Sequence, residues 1–311
     1  MKFQVNKDAF NEAVSFVVRV LPQRIPMPIL NGILIEADAN ALRLSVFDYE
    51  VSAQVEIVAK VEKAGRVLVS GRLLSEITAK LPNAPIELSL EGNKVLLTCG
   101  ASKFNLLTMP VEEYPNLPEL PATSITISGE DFAKAVHQIV PAVAKNDHVM
   151  TLNGMLFEVL EKSVSLLGTD RHRMAVKEVP WSGTSDLVGY VSVVPTRTLT
   201  EVAKTFGHQG ELTLAINNDE NRGLIAFKAN NRTITSLLIK GRYPDVKEHL
   251  PSEEIPEFAI VNTQDLIDST RRVGLVLEND VAMKCDFQDG QLILEASENE
   301  VAQASESIAI E

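Results

Sequence analysis

The chain has 311 residues, 45% of them apolar and 23% charged, which is ordinary usage for a folded protein with room for two or more cores. Its longest apolar runs are strand-sized, too short for a helix across a membrane, and its start, MKFQVNKDAF, lacks the apolar stretch of a secretory signal, which predicts a cytoplasmic protein. A formal net charge of -13 argues against a surface coated in basic residues, but leaves room for a basic surface confined to one face.

In chain order, KFQVNK reads as a strand and Asp8 as the N-cap of a helix over AFNEAVSFVVRVL, whose Phe10, Val14, Val17, Val18 and Leu21 share one face. Pro22, Pro26 and Pro28 end that helix. The runs ILIEA, LRLSV and VSAQVEI follow as strands, with Phe47-Asp48-Tyr49-Glu50 turning the chain before the third. Lys63-Ala64-Gly65 leads into the strand RVLVS, and Gly71 into a second helix, RLLSEITAKL, closed by Pro82-Asn83. Then IELSLEG, KVLLTCG and KFNLLTM are strands, and EEYPNLPELP is a linker-like exit.

The same order then starts again. SITISG is a strand, EDFAKAVHQIVPAVA a helix, and MLFEV, VSLLG and MAVKEV are strands; VSVV leads to a helix over TRTLTEVAKTFG, and ELTLAI, GLIAFKA and RTITSLLI are strands before the exit GRYPDVKEHLP. Leu152-Asn153-Gly154 lies 122 residues after Leu30-Asn31-Gly32, Asp170 lies 122 after Asp48, and Tyr243-Pro244 lies 129 after Tyr114-Pro115. An offset of this size is a domain's length, beyond the roughly 20 to 50 residues of a solenoid repeat. A weaker third copy runs through FAIVNT, a helix over QDLIDSTRRVGLVL, and two or three strands, VAMKCDF and QLILEAS among them, followed by Ser297-Glu298-Asn299-Glu300. Glu311 stands only 13 residues beyond Glu298, so the second helix and last strands of the third copy are expected to be absent. The predicted domains are 1–119, 120–252 and a partial 253–311. Helix followed by antiparallel strands, twice per copy, predicts an α+β class with helices gathered on one side of the sheets. Cys99 and Cys285 fall far apart in strand-like runs, which argues against a disulfide or metal framework and predicts buried thiols.

The segments MKFQV, PMPILNGILIEA, KFNLLTMPVEEYPNLPEL, TLNGMLFE, GTDRHRMAV and KGRYPDVKEHLP, spread over the whole chain, resemble the bacterial DNA polymerase III beta subunit, the replicative sliding clamp family. The resemblance implies repeated clamp domains in a head-to-tail homodimer that closes around duplex DNA, with sheets outside and helices lining the inner face. Five helical windows, 7–24, 72–80, 130–145, 196–206 and 264–273, carry a net charge of +3 in a chain of -13, as a DNA-facing lining requires; basic residues that merely solvate helix surfaces would give the same count. Contacts to phosphate through long basic side chains hold DNA without reading its sequence, and a sliding ring needs contacts of that kind. By motif position, Arg24, Arg72, Asn146 and Arg197 resemble DNA-contacting residues, with Lys80 and Lys204 beside them. Where some family members carry aromatic residues before Leu-Asn-Gly, this chain has Met150-Thr151.

The resemblance further implies a pocket for short linear peptides of the polymerase III alpha subunit, the clamp loader and repair polymerases, formed here by Leu152, Thr169, His172, Arg173, Met174, Pro244 and His249. A pocket of this kind is mostly apolar with a few fixed polar groups. Phe104 and Leu106 are the implied dimer-interface residues of the first domain, facing the region around Leu275 of a partner's third. Two other readings stand beside this one. A clamp relative could serve as a peptide-binding scaffold without closing a ring. Asp170, His172 and Arg173 could serve a metal-dependent phosphoesterase, but no HxxxH, CxxC, GxxxxGK[ST] or GxSxG pattern accompanies them, and His137, His148, His208 and His249 are scattered. No catalytic residue, metal or cofactor is therefore expected.

Overall fold

The computed structural model describes residues 1–21, 27–217, 223–250, 258–277, 281–299 and 302–311. The first repeat runs β1 (Lys2–Val5), α1 (Lys7–Val20), β2 (Gly32–Asp38), β3 (Ala41–Phe47), β4 (Val51–Val58), β5 (Lys60–Lys63), β6 (Gly65–Ser70), α2 (Gly71–Thr78), β7 (Ile86–Glu91), β8 (Lys94–Cys99) and β9 (Ser102–Met109). The second runs β10 (Ser124–Ser128), α3 (Gly129–Ile139), β11 (Gly154–Val159), β12 (Ser163–Thr169), β13 (Met174–Pro180), β14 (Val191–Pro195), α4 (Thr196–Phe206), β15 (Glu211–Asn217), β16 (Leu224–Ala229) and β17 (Arg232–Leu237). The third comprises α5 (Thr263–Val273), β18 (Lys284–Gln288), β19 (Gln291–Asn299) and β20 (Ala302–Ala309). The α+β class and the repeated order follow the sequence closely, apart from the short β5, which pairs with β1.

Local chemistry corrects three details. The cap of α1 is Asn6, not Asp8: the Asn6 Oδ1 accepts from the backbone N–H groups of Asp8 and Ala9, while Asp8 sits in the first turn, where a negative charge favours the positive end of the helix. The third helix stops at Ile139 and passes into a 3-10 turn over Val140–Ala142, because Pro141 has no N–H to continue the ladder. Cys99 is buried, with its Sγ 3.2 Å from the Ala84 carbonyl oxygen, but Cys285 is exposed, since β18 is an edge strand of a three-stranded sheet.

Two compact units result, Met1–Pro244 and Asp245–Glu311. In the first, the two repeats share a 13-stranded sheet, continuous because β17 pairs antiparallel with β4 from Arg232↔Val55 to Ser236↔Val51. The Ser52 and Thr235 hydroxyls, 2.6 Å apart, face each other across that joint. A four-stranded sheet, in the order β13-β12-β11-β14, completes the second repeat. Helices α1 and α2 pack together, as do α3 and α4, and α1 meets α4 at the joint, so these helices form one layer in the order α2-α1-α4-α3. A continuous core beneath them includes Phe3, Phe10, Phe16, Phe132, Phe157, Phe206 and Phe227, all fully buried. The second unit holds a small core of Val273, Leu292, Leu294, Ala296 and Ile308 under α5.

Candidate functional site

A buried tyrosine organises the same corner in both repeats. The Tyr114 hydroxyl accepts from the Phe47 N–H at 2.7 Å and lies 3.5 Å from the Gly32 carbonyl; the Tyr243 hydroxyl accepts from the Thr169 N–H at 3.2 Å and lies 3.5 Å from the Gly154 carbonyl. Burial pushes the Tyr114 phenol up to about 12, with the nearby Asp48 carboxylate adding to it, and burial also raises Tyr243. Each corner continues into an aspartate turn. Asp48 Oδ1 accepts from the N–H groups of Glu50 and Val51, and Asp170 Oδ1 from those of His172 and Arg173. The residue after each aspartate has a positive φ, 74° at Tyr49 and 77° at Arg171. The turn is therefore a shared structural device. Asp170 is fully engaged in it, because its Oδ2 also accepts from Arg173 Nε at 2.9 Å. Burial raises the Asp170 carboxyl, but the His172 N–H and the Arg173 side chain outweigh it and leave the net shift downward. Among the described residues no three His, Cys, Asp or Glu side chains converge as metal ligands would.

Several of the sequence-predicted pocket residues lie next in the chain to the groups that Tyr243 ties together, Gly154 and Thr169. Thr169 is buried at the end of β12, with its Oγ1 donating to the Arg173 carbonyl and accepting from the Arg171 N–H. His172 and Arg173 are exposed at the turn, Met174 is half-buried at the start of β13, and Pro244 follows Tyr243. Leu152 is 1% exposed in the 3-10 turn Met150–Asn153 and can serve as a floor only. His249 lies in the second unit, exposed in the 3-10 turn Lys247–His249. Val149 and Met150, directly before Thr151-Leu152-Asn153, are exposed apolar residues.

The predicted DNA-facing residues fall on or beside the helical layer. Arg72 is exposed in the first turn of α2, Lys80 is exposed just beyond that helix, and Lys204 is exposed in the last turn of α4. Asn146 is exposed with a φ of 57° in a loop clipped by Asn153, whose Oδ1 accepts from the Asp147 N–H and whose Nδ2 donates to the Asp147 carbonyl. Arg197 is exposed in the first turn of α4, but its Nη2 lies 3.3 Å from the carbonyl oxygens of both Val20 and Leu21. Arg24, and the helix-ending Pro22 and Pro26, lie outside the described residues. A cleft of about 240 Å³ at the joint is lined by Arg19, Arg197 and Lys204 over Val20, Val51 and Ile234.

The interface expectation needs one correction. Along β9 the side chains alternate, so Leu106 is 3% exposed and points into the core while its neighbour Leu107 is 68% exposed; Phe104 is half-buried against the core. Strand β9 pairs with β6 only through Thr108 and Met109, leaving the Ser102–Leu107 stretch open on that side. Leu275, in the second unit, is 84% exposed.

The chain matches the DNA polymerase III beta subunit family model for the N-terminal domain over residues 1–118 and for the central domain over 126–245. It is 42% identical over 308 residues to a beta sliding clamp of Micrococcus luteus, covering 99% of this chain and 98% of that one. Its fold superposes on the DNA polymerase sliding clamp of Bacillus subtilis with a TM-score of 0.91 at 25% identity, covering 100% of this chain and 84% of that one. A Pseudomonas aeruginosa sliding clamp bound to griselimycin gives a TM-score of 0.90 at 25% identity, with the same coverage. The chain belongs to the DNA polymerase III beta subunit family, the beta sliding clamps, which are non-catalytic processivity factors of DNA replication.

Proposed function

We propose that this protein holds duplex DNA against the helical layer of its first unit and tethers a DNA polymerase through the Tyr243 corner. The observation that carries the reading is the layer itself. On a chain of net charge -13, exposed Arg72, Lys80 and Lys204 stand along α2 and α4. Flexible cations there attract phosphate and read no bases, so DNA is held without being fixed in register. Asn146 adds a neutral contact from the clipped loop. Arg197 shares the layer, but its guanidinium is engaged with α1.

The peptide pocket combines Leu152 as floor, Thr169 as a fixed polar group, and His172, Arg173, Met174 and Pro244 around the turn. Head-to-tail self-association uses the open β9 edge, with Phe104 and Leu107 presented to the Leu275 region of a second copy, since a strand edge left open on one side with an exposed leucine is a ready surface for pairing. The domains are read as 1–119, 120–252 and 253–311, the last holding α5 and three described strands. The cellular compartment is read as the cytoplasm.

Retention on DNA tests the function. The protein should stay on closed circular duplex through a salt wash and leave when the circle is cut, because only a closed ring is trapped topologically. Equal loss from both forms, together with retained griselimycin binding, would make the chain a peptide-binding scaffold instead. Met174→Glu should weaken griselimycin binding at least about tenfold by placing a charge on an apolar wall.

A further inference from the structure

We infer that Arg197 is a positioning residue that fastens α4 of the second repeat to the C-terminal end of α1 in the first, and is not itself a ligand for DNA phosphate. The last carbonyls of a helix have no partner within it, and they form the negative end of its dipole. Val20 is the final residue of α1 and Leu21 its C-cap, and the Arg197 Nη2 sits 3.3 Å from both of their oxygens. Both contacts come from one nitrogen, whose two hydrogens serve the two carbonyls; a lysine ammonium has donors enough but ends one bond nearer the backbone.

Two further contacts from the second repeat fall on the same helix. Glu201, one turn after Arg197 on α4, has its Oε1 3.7 Å from Arg19 Nε. Arg232, on β17, pairs with Glu12 and lies 5.3 Å over the Phe16 ring. Glu12, Phe16 and Arg19 are four and three residues apart, so they form one stripe along α1, with Phe16 buried in the shared core and Glu12 and Arg19 at the surface on either side of it. Helix α1 is thus held from the second repeat along its length, and Arg197 closes the end of that row. Lys204 stands two turns further along α4, where it makes no hydrogen bond or ion pair among the described residues and has its ammonium available.

The role goes beyond the DNA-holding reading and rests on it only for its second measurement. Hydrogen exchange of the DNA-free protein, read over the last turn of α1 (Val17–Leu21), should quicken about fivefold or more in both Arg197→Ala and Arg197→Lys, since the lysine ammonium ends one bond short of the Nη2 position. The salt dependence of duplex binding should keep the wild-type slope in both variants, while Lys204→Ala should flatten it by about 0.9. Unchanged exchange in both Arg197 variants would overturn the assignment. So would a slope that flattens in Arg197→Ala and returns in Arg197→Lys, because that is the behaviour of a phosphate contact. A wild-type protein that fails to bind duplex would refute the DNA reading and leave the exchange measurement to decide the role of Arg197.

Discussion

Removing one oxygen from Tyr114 should give a stability defect that fades as the solution becomes alkaline. In Tyr114→Phe the ring still fills its buried site, but the Phe47 N–H loses the acceptor it holds at 2.7 Å. A buried donor left unsatisfied costs about 1–3 kcal/mol, which for a unit of this size lowers Tm by roughly 2–4 °C per kcal/mol. The wild-type hydroxyl titrates near 12 in the folded protein, against about 10 in an unfolded chain. Its folded pKa is raised, so its contribution is complete below pH 10 and is lost as pH climbs from 10 through 12. Linkage puts the loss at about 1.4 kcal/mol by pH 11, approaching about 2.7 kcal/mol above pH 12. Urea unfolding of both proteins at pH 8 and pH 11 reads this directly: the gap between them should shrink by about 1.4 kcal/mol at the higher pH. A gap that stays constant would show that Tyr114 is not the buried, proton-holding group described here.

Other substitutions separate residues that look alike in sequence. Leu106→Ala should cost about 2–5 kcal/mol by opening the core, while Leu107→Ser should leave the unfolding midpoint nearly unchanged and reduce self-association measured by light scattering. Gly129→Ala should destabilise the second repeat by about 1–3 kcal/mol in urea, because a Cβ there would stand 2.6 Å from the Phe206 carbonyl oxygen, a backbone atom that cannot swing aside. In the second unit the Arg272 guanidinium and the Ser269 hydroxyl hold the Glu306 carboxyl down to about 2. Its contribution to stability is therefore present above the ordinary carboxylate range and lost as pH falls toward 2, and Arg272→Ala should raise its NMR titration toward that range. A thiol reagent should label Cys285 promptly and Cys99 only on unfolding.

Much of this protein is written in its sequence because its elements are set by local rules. Period-two and period-3.6 patterns placed nearly every strand and helix, and the 122-residue spacing of Leu-Asn-Gly and of the aspartates marked two copies of one domain. The equivalence of Tyr114 and Tyr243 was visible as a repeated Tyr-Pro, and both proved to anchor the same corner. Facing was harder to read. Leu106-Leu107 is an apolar pair on a strand, and only the pleat decides which one is inside. Asn6 and Asp8 are both competent caps, and the choice depends on where the first helical N–H groups point. What sequence could not supply were the pairings between repeats. Strand β17 on β4, Arg232 over Phe16 and Arg197 at the end of α1 join residues about 175 to 220 positions apart, and such contacts have no local signature because they depend on how two finished domains meet. Sequence determined the repeated domain and its family; tertiary structure decided how the two repeats meet, because the Arg197 guanidinium reaches the end of α1 only once both domains are folded.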